Sequence, residues 1–280
     1  MAPTCARRAD FVAESAFPLA GRVGAVFRRA ADVPCDGFLL TLMTEEAYLH
    51  PLAIRIEDSL FAMLEPGMPV VADASGLRIG RSESAWGESL PAPALVERRL
   101  SPAREAEIAA AIRKALRLCG RRSHVGEAFL EGEDTEFLAP VSHLREALAR
   151  GAADLAGVEG WFGGGAGLTP AWDDFCCGAL LADRFFGGEL IAPASNLIER
   201  LAGKTTIQSI WQLRFAERGR SSLLVERFLA SLAGRTCRSA DVLRVAGIGH
   251  TSGTDLLAGV CLRLEAGVPK SYSPGESARE

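Results

Sequence analysis

The stretch SPAREAEIAAAIRKALRLCG, residues 101–120, is where the chain changes character and where its fold class is decided. Ser101 is a good N-cap, Pro102 suits the first helical position, and Glu105 puts a carboxylate in the first turn. Ile108, Ile112, Ala115, Leu116 and Cys119 then recur along one helix face until Gly120 stops the run. The same reading carried downstream predicts helices near 138–150, 170–186, 194–202, 205–218, 221–233, 239–246 and 252–266.

Upstream the period is two. Val23, Ala25 and Phe27 alternate with small or polar neighbours, as do Leu52, Ile54 and Ile56, which is the pattern of half-buried strands. Residues 37–44 (GFLLTLMT) form a short continuous apolar run. Pro34, Asp36 and Gly37 bound it on one side and Glu45 and Glu46 on the other, as a strand covered on both faces requires. Asp73-Ala74-Ser75-Gly76 is a turn signal joining 68–72 to 77–80 in a hairpin. Residues 82–102, with Pro91, Pro93 and Pro102, keep neither period and read as a surface connection. Strands followed by helices, rather than alternating with them, predict an α+β protein. Its N-terminal part, 1–100, is a small antiparallel β-sheet or barrel with a connecting loop. Residues 101–280 form a mainly helical domain that carries the glycine-rich loops. The tail after Lys270 is polar and carries no evident chemistry.

Composition narrows the function classes. Of 280 residues 48% are hydrophobic and 24% charged, and 31 Lys+Arg against 35 Asp+Glu leave a formal charge of −4, the balance of a soluble globular protein rather than a nucleic-acid binder. The longest apolar runs fall far short of the roughly 20 residues of a membrane helix. The first twenty residues lack a secretory pattern, so a cytoplasmic protein with no membrane partner is expected. Seven cysteines at 5, 35, 119, 176, 177, 237 and 261 contain no CxxC pair, so neither a disulfide framework nor a zinc site is signalled. Most of them read as small buried hydrophobes. Nothing calls for a cofactor or a metal.

The chemistry concentrates in three segments. GGGAGLTPAWDDF at 163–175 runs glycines into Thr169 and Pro170, a cap and a first helical position. Gly165 and Gly167 let the backbone approach a ligand closely, and the helix dipole with its free N–H groups favours an anion. Neither the P-loop nor the dinucleotide fingerprint is present. Asp173 and Asp174 follow in the first turn. They could orient a substrate amide, act as a base or hold a cation, or simply stabilise the helix N-terminus by roughly 0.3–1 kcal/mol each.

A second, weaker copy occupies 247–259, GIGHTSGTDLLAG. Here Gly249, Thr251, Ser252, Gly253 and Asp255 take similar places, and His250 is a general acid–base candidate or a donor to a substrate oxygen. In both copies a Gly follows the Asp by four residues, Asp174 to Gly178 and Asp255 to Gly259, so each pair shares a face and the Gly admits a close helix contact. Whether the copies share one pocket or are two ordinary caps stays open at this level. Between them, Lys204-Thr205-Thr206 opens a helix, with Thr205, Thr206 and Ser209 as anion-site candidates or routine capping groups.

The segments GGGAGLTPAWDDFCCGALL, KTTIQSIWQLRFAERGR and VAGIGHTSGTDLLAGV resemble a bacterial family of uncharacterised-domain proteins that includes AllH, a subunit associated with oxamate carbamoyltransferase in allantoin and oxalurate catabolism. The family pattern is close to G-x-G-x-G-L-T-P-S-G-D-D, then T-T-x-x-S, then G-x-S-S-G-x-D. GRVGAVFRRAADVPCDGFLLTL looks like the family's opening strands, so the resemblance runs from about Gly21 to Gly267. Two departures stand out: Ala171-Trp172 replaces the usual Ser-Gly, and His250 precedes Thr251-Ser252-Gly253.

The resemblance implies carbamoyl transfer between carbamoyl phosphate and a small amide such as oxamate. Glycine-rich helix N-termini would hold the phosphate, His250 or the Thr hydroxyls would polarise the carbonyl, and Asp174 or Asp255 would serve as base or acceptor. It also implies other carbamoyltransferase subunits as partners. The alternative is a non-catalytic subunit or regulatory module that binds a small anionic metabolite.

Overall fold

A computed structural model describes residues 5–8, 18–87, 99–151, 153–234 and 237–267. The chain falls into two compact units, Met1–Ala94 with Ser221–Glu226, and Leu95–Arg220 with Arg227–Glu280.

Among the described residues eight strands build the first: β1 (Cys5–Arg8), β2 (Leu19–Arg22), β3 (Ala30–Cys35), β4 (Phe38–Met43), β5 (Ala53–Arg55), β6 (Pro69–Ala72), β7 (Gly76–Ile79) and β8 (Ser82–Trp86). One four-residue helix, α1 (Asp58–Phe61), lies between β5 and β6. The strand order is β2-β6-β7-β8-β1-β5-β4-β3. Most neighbours are antiparallel, but β1 pairs in parallel with β8 and β4 with β5. The two edges of this sheet then meet. Residues 24–27, continuing from β2, hydrogen-bond to β3 through Gly24 N–H to Asp32 O (2.7 Å), Asp32 N–H to Ala25 O (2.9 Å) and Phe27 N–H to Ala30 O (2.8 Å). Among the described residues the sheet thus curls until its edges pair, and it encloses its own core, here Val33, Leu40, Leu42, Ile54, Val70 and Leu77 among others.

The β4 run is covered on both faces as its sequence requires, with Leu40, Thr41 and Leu42 all buried. The turn at 73–76 is built by Asp73, whose Oδ1 accepts the N–H groups of Ser75 (2.8 Å) and Gly76 (3.1 Å). Two expectations need correction. Residues 82–86 are not connection but strand β8, paired with β7 and β1. Residues 30–35 form β3, which joins β4 through Asp36 and Gly37, the latter at φ 78°. Pro34 therefore lies inside a strand rather than marking the boundary of one.

The second unit is helical: α2 (Pro102–Cys119), α3 (His124–Leu130), α4 (Leu138–Ala149), α5 (Ala171–Phe185), α6 (Ser195–Arg200), α7 (Ile207–Ala216), α9 (Ser239–Ala246) and α10 (Ser252–Ala266), with α8 (Leu223–Leu232) preceding α9. Helix α2 starts as its sequence dictates, with Ser101 Oγ accepting Arg104 N–H at 3.3 Å. Its apolar face is buried from Ile108 to Leu116, whereas Cys119 is exposed.

Helices α5 and α10 form the centre of this unit and run side by side in the same direction. Their first turns meet at Thr169 and Ser252, with the hydroxyl oxygens 3.0 Å apart. Their last turns meet where the buried Arg263 donates from Nε to Asp183 (3.1 Å) and from Nη1 to Glu105 of α2. Asp183 is fully buried and also pairs with Arg184 (2.8 Å), which reaches Glu217 (3.2 Å). A buried charge network of this kind adds little net stability, but breaking it by removing one member is costly, so it fixes the register of the two helices. Among the described residues no helix is long and apolar enough to cross a membrane.

Candidate functional site

The close approach of α5 and α10 depends on two glycines. A Cβ at Gly178 would run into the Leu256 carbonyl, and a Cβ at Gly259 into the Phe175 carbonyl, in each case well inside van der Waals contact. The arrangement is reciprocal. Each glycine, four residues past the aspartate of its own segment, packs on the residue that follows the aspartate of the other. The two glycine-rich copies therefore form a single junction.

Asp174 and Asp255 lie in the first turns of these helices and are almost fully buried, at 3% and 0% exposure. Ser123, the cap of α3, donates its hydroxyl to Asp255 Oδ1. On each carboxylate the Oδ2 atom is buried with no hydrogen-bond partner. Such atoms are rare in folded proteins and call for an occupant or a proton. Burial pushes the Asp174 carboxyl well above the usual range. The hydroxyls of Ser252 and Thr169 offset this in part, and the nearby Asp255 charge adds to it. Burial likewise pushes Asp255 up to about 6, with Ser123 and Thr251 pulling it down. The adjoining helix N-termini favour charge on both.

Asp173 faces another way. Its Oδ1 accepts the N–H of Gly163 at 2.8 Å and its Oδ2 accepts the Thr205 hydroxyl, so it clamps the start of the glycine loop to the segment before α7. Burial raises its pKa and these two bonds lower it. Ser209 adjoins Asp173 and also steadies its charge, but its buried Oγ does not reach hydrogen-bonding geometry. Thr206 caps α7, accepting Ser209 N–H at 3.1 Å, and donates to Leu168 O at 2.6 Å. The hydroxyls of Thr205 and Thr206 are thus both engaged in holding the loop. Thr169 does not cap α5. Pro170 is the cap residue, and the Thr169 hydroxyl turns to Ser252 instead.

Gly163, Gly165 and Gly167 have φ of 84°, 107° and 103°, a backbone only glycine adopts without strain. Around Gly167 the space is open, so its backbone is accessible. In the second segment Gly253 is a packing residue, since a Cβ there would strike the Val245 carbonyl of α9. Gly249 and His250 are exposed, and both their carbonyls accept from Arg121 Nη1, the second at 2.8 Å. Trp172, which the sequence left between pocket wall and core, is fully buried and stacks on Phe137 (6.0 Å) and Phe175 (5.4 Å). Among the described residues there is no cluster of three His, Cys, Asp or Glu able to hold a metal ion.

The sequence reading missed Arg121 and Ser123. Ser123 ahead of Val125, Ala128 and Phe129 is a cap-and-face signal that announces α3. Its contact with Asp255, 132 residues away, had no local sign.

A family model described as oxamate carbamoyltransferase subunit AllH matches residues 161–264, and one described as the AllH family N-terminal domain matches residues 3–90. The chain belongs to the AllH family. Asp173, Asp174, the Thr205–Thr206–Ser209 group and Asp255 all fall in the first of these AllH matches, whereas Arg121 and Ser123 fall outside both. The family is that of a carbamoyltransferase subunit. No solved structure matches the chain.

Proposed function

We propose that this chain is a carbamoyltransferase subunit whose site lies at the junction of the two glycine-rich segments, with carbamoyl phosphate as donor and a small amide such as oxamate as acceptor. The observation that supports this most is the pair of buried aspartates, Asp174 and Asp255, each with one unpartnered oxygen, held together inside the stretch matched to the AllH subunit.

In this reading the exposed backbone around Gly165 and Gly167, ahead of the α5 N-terminus, binds the phosphate, with Gly249, Thr251 and Ser252 opening the second loop beside it. The buried carboxylates take the amide end. The amide nitrogen attacks the carbamoyl carbon, a C–N bond forms, and the C–O bond to phosphate breaks. The electron pair leaves with inorganic phosphate and the N–H proton passes to Asp255. In this reading His250, exposed in the second loop, takes the carbonyl oxygen or the leaving group. Other carbamoyltransferase subunits are the expected partners. The second reading, a non-catalytic module binding an anionic metabolite, is favoured by the engagement of Asp173, Thr205 and Thr206 in holding the loop.

The test is the thermal midpoint of the chain against carbamoyl phosphate, phosphate, oxamate, ATP and NAD, with turnover assayed alone and with co-purified subunits. A ligand at about 100 times its Kd adds roughly 2.7 kcal/mol, a shift of about 5–10 °C. Shifts with carbamoyl phosphate and oxamate, and turnover only while Asp255 is intact, are expected. Shifts without turnover in any assembly would favour the binding module, and no shift in any assembly would exclude both.

A further inference from the structure

We propose that Asp174 and Asp255 act as a donor–acceptor pair that reads a primary carboxamide, Asp174 donating a proton to the amide oxygen and Asp255 accepting from the amide N–H, so that the site selects an amide over the corresponding carboxylate. This rests on the reading that the junction of the two segments is the substrate site.

Both side chains are more than nine-tenths buried, and each keeps one oxygen without a partner. The groups that bear on Asp174 are the hydroxyls of Ser252 and Thr169 and the carboxylates of Asp255 and Asp173. Those that bear on Asp255 are the hydroxyls of Ser123 and Thr251. Two carboxylates within reach of one another in dry surroundings do not both ionise, so the pair retains a proton.

The asymmetry of the surroundings says where that proton rests. Both carboxyls have hydroxyls that favour charge, Ser123 and Thr251 at Asp255 and Ser252 and Thr169 at Asp174, but Asp174 also has Asp173 beside it in the chain, a further carboxylate that disfavours its own charge. The result is one O–H donor beside one bare carboxylate. A primary amide offers the complement, a carbonyl acceptor and an N–H donor on neighbouring atoms. A carboxylate in the same place offers acceptors only and meets the Asp255 charge. A site built to hydrogen-bond an N–H discriminates strongly against analogues that lack it, because its own buried group is left unpaired.

Titration calorimetry on the full chain, with its partner subunits if binding needs them, tests this with oxamate, oxalate and N,N-dimethyloxamate, and with carbamoyl phosphate in parallel. The expected result is that oxamate binds on the order of 100-fold or more tightly than either analogue. In Asp255→Asn, whose side chain can donate to a carboxylate, the preference of oxamate over oxalate shrinks or reverses, while Asp174→Asn keeps it. Equal affinity for oxamate and oxalate, or a preference unchanged in Asp255→Asn, overturns the inference while leaving the carbamoyltransferase reading intact, provided carbamoyl phosphate still binds. A site that takes potassium or magnesium and no oxamate overturns it too. If neither oxamate nor carbamoyl phosphate binds in any assembly, both fall.

Discussion

The two glycine-rich segments share a pattern and differ in how they are held. The first, 163–178, depends on three positive-φ glycines and on side chains from the α7 region: Asp173 spans Gly163 and Thr205, and Thr206 grips Leu168. The second, 247–259, has a single positive-φ glycine, packs Gly253 hard on α9, and is held from the α2–α3 side by Arg121 and Ser123. What they have in common is the aspartate with a glycine four residues on. That spacing is enough to put two carboxylates and two helix starts at one place, so the helix packing is shared between the copies and the loop scaffolding is particular to each.

The largest effects are expected at the shared element. Gly178→Val and Gly259→Val each force a side chain into the facing helix backbone. Both are expected to cost about 3 kcal/mol or more, read as a fall in Tm of at least about 6 °C, and to do so to a similar extent. A loss in one variant only would mean that the junction is not reciprocal.

Next comes pH. The Asp255 carboxyl lies near 6 in the folded chain against an ordinary 3.8, so the folded state binds the proton more tightly and stability falls as pH rises from about 4 to 6. In Asp255→Asn this part of the slope vanishes. The stability of the variant relative to the parent should therefore climb by up to about 3 kcal/mol across that window and level off above it, as measured by urea unfolding at a series of pH values.

Loop scaffolding gives smaller effects that separate the copies. Asp173→Ala should cost about 2 kcal/mol and speed amide exchange in the first loop but not in the second. Arg121→Ala, at about 1–2 kcal/mol, should do the converse. Gly167→Val strains a backbone with φ of 103° in open space, so a loss of about 1–2 kcal/mol with the fold retained is expected, together with weaker carbamoyl phosphate binding. His250→Ala, at an exposed position, should leave stability within about 0.5 kcal/mol.

Much of this was legible in the chain because local rules and tertiary packing agree. Ser101-Pro102 and the period after it announce α2, and Gly178 and Gly259 announce a close helix contact. Strand β8 was hidden because SESAW is largely polar and its inward face, Ser82, Ser84 and Trp86, offers one apolar residue, while Glu83 and Ala85 are exposed. β3 was hidden by Pro34, which in a curled sheet occupies a strand position that needs no N–H donor. The parallel pairings of β1 with β8 and of β4 with β5 join segments with no pattern in common. In the site, the aspartates stood out by type and spacing. The distinct role of Asp173 as a clamp did not, because Gly163 and Thr205 come from 10 residues before it and 32 after it.

In the proposed function the two copies build one site in which Asp174 and Asp255 act on the same ligand. A double-mutant cycle of oxamate affinity across Asp174→Ala and Asp255→Asn tests this. If both groups hold one ligand, each single change weakens binding at least about 10-fold and the double variant is little worse than the poorer single one, because an amide needs both groups at once. Losses that multiply, as for independent positions, or a single change without effect, would contradict it.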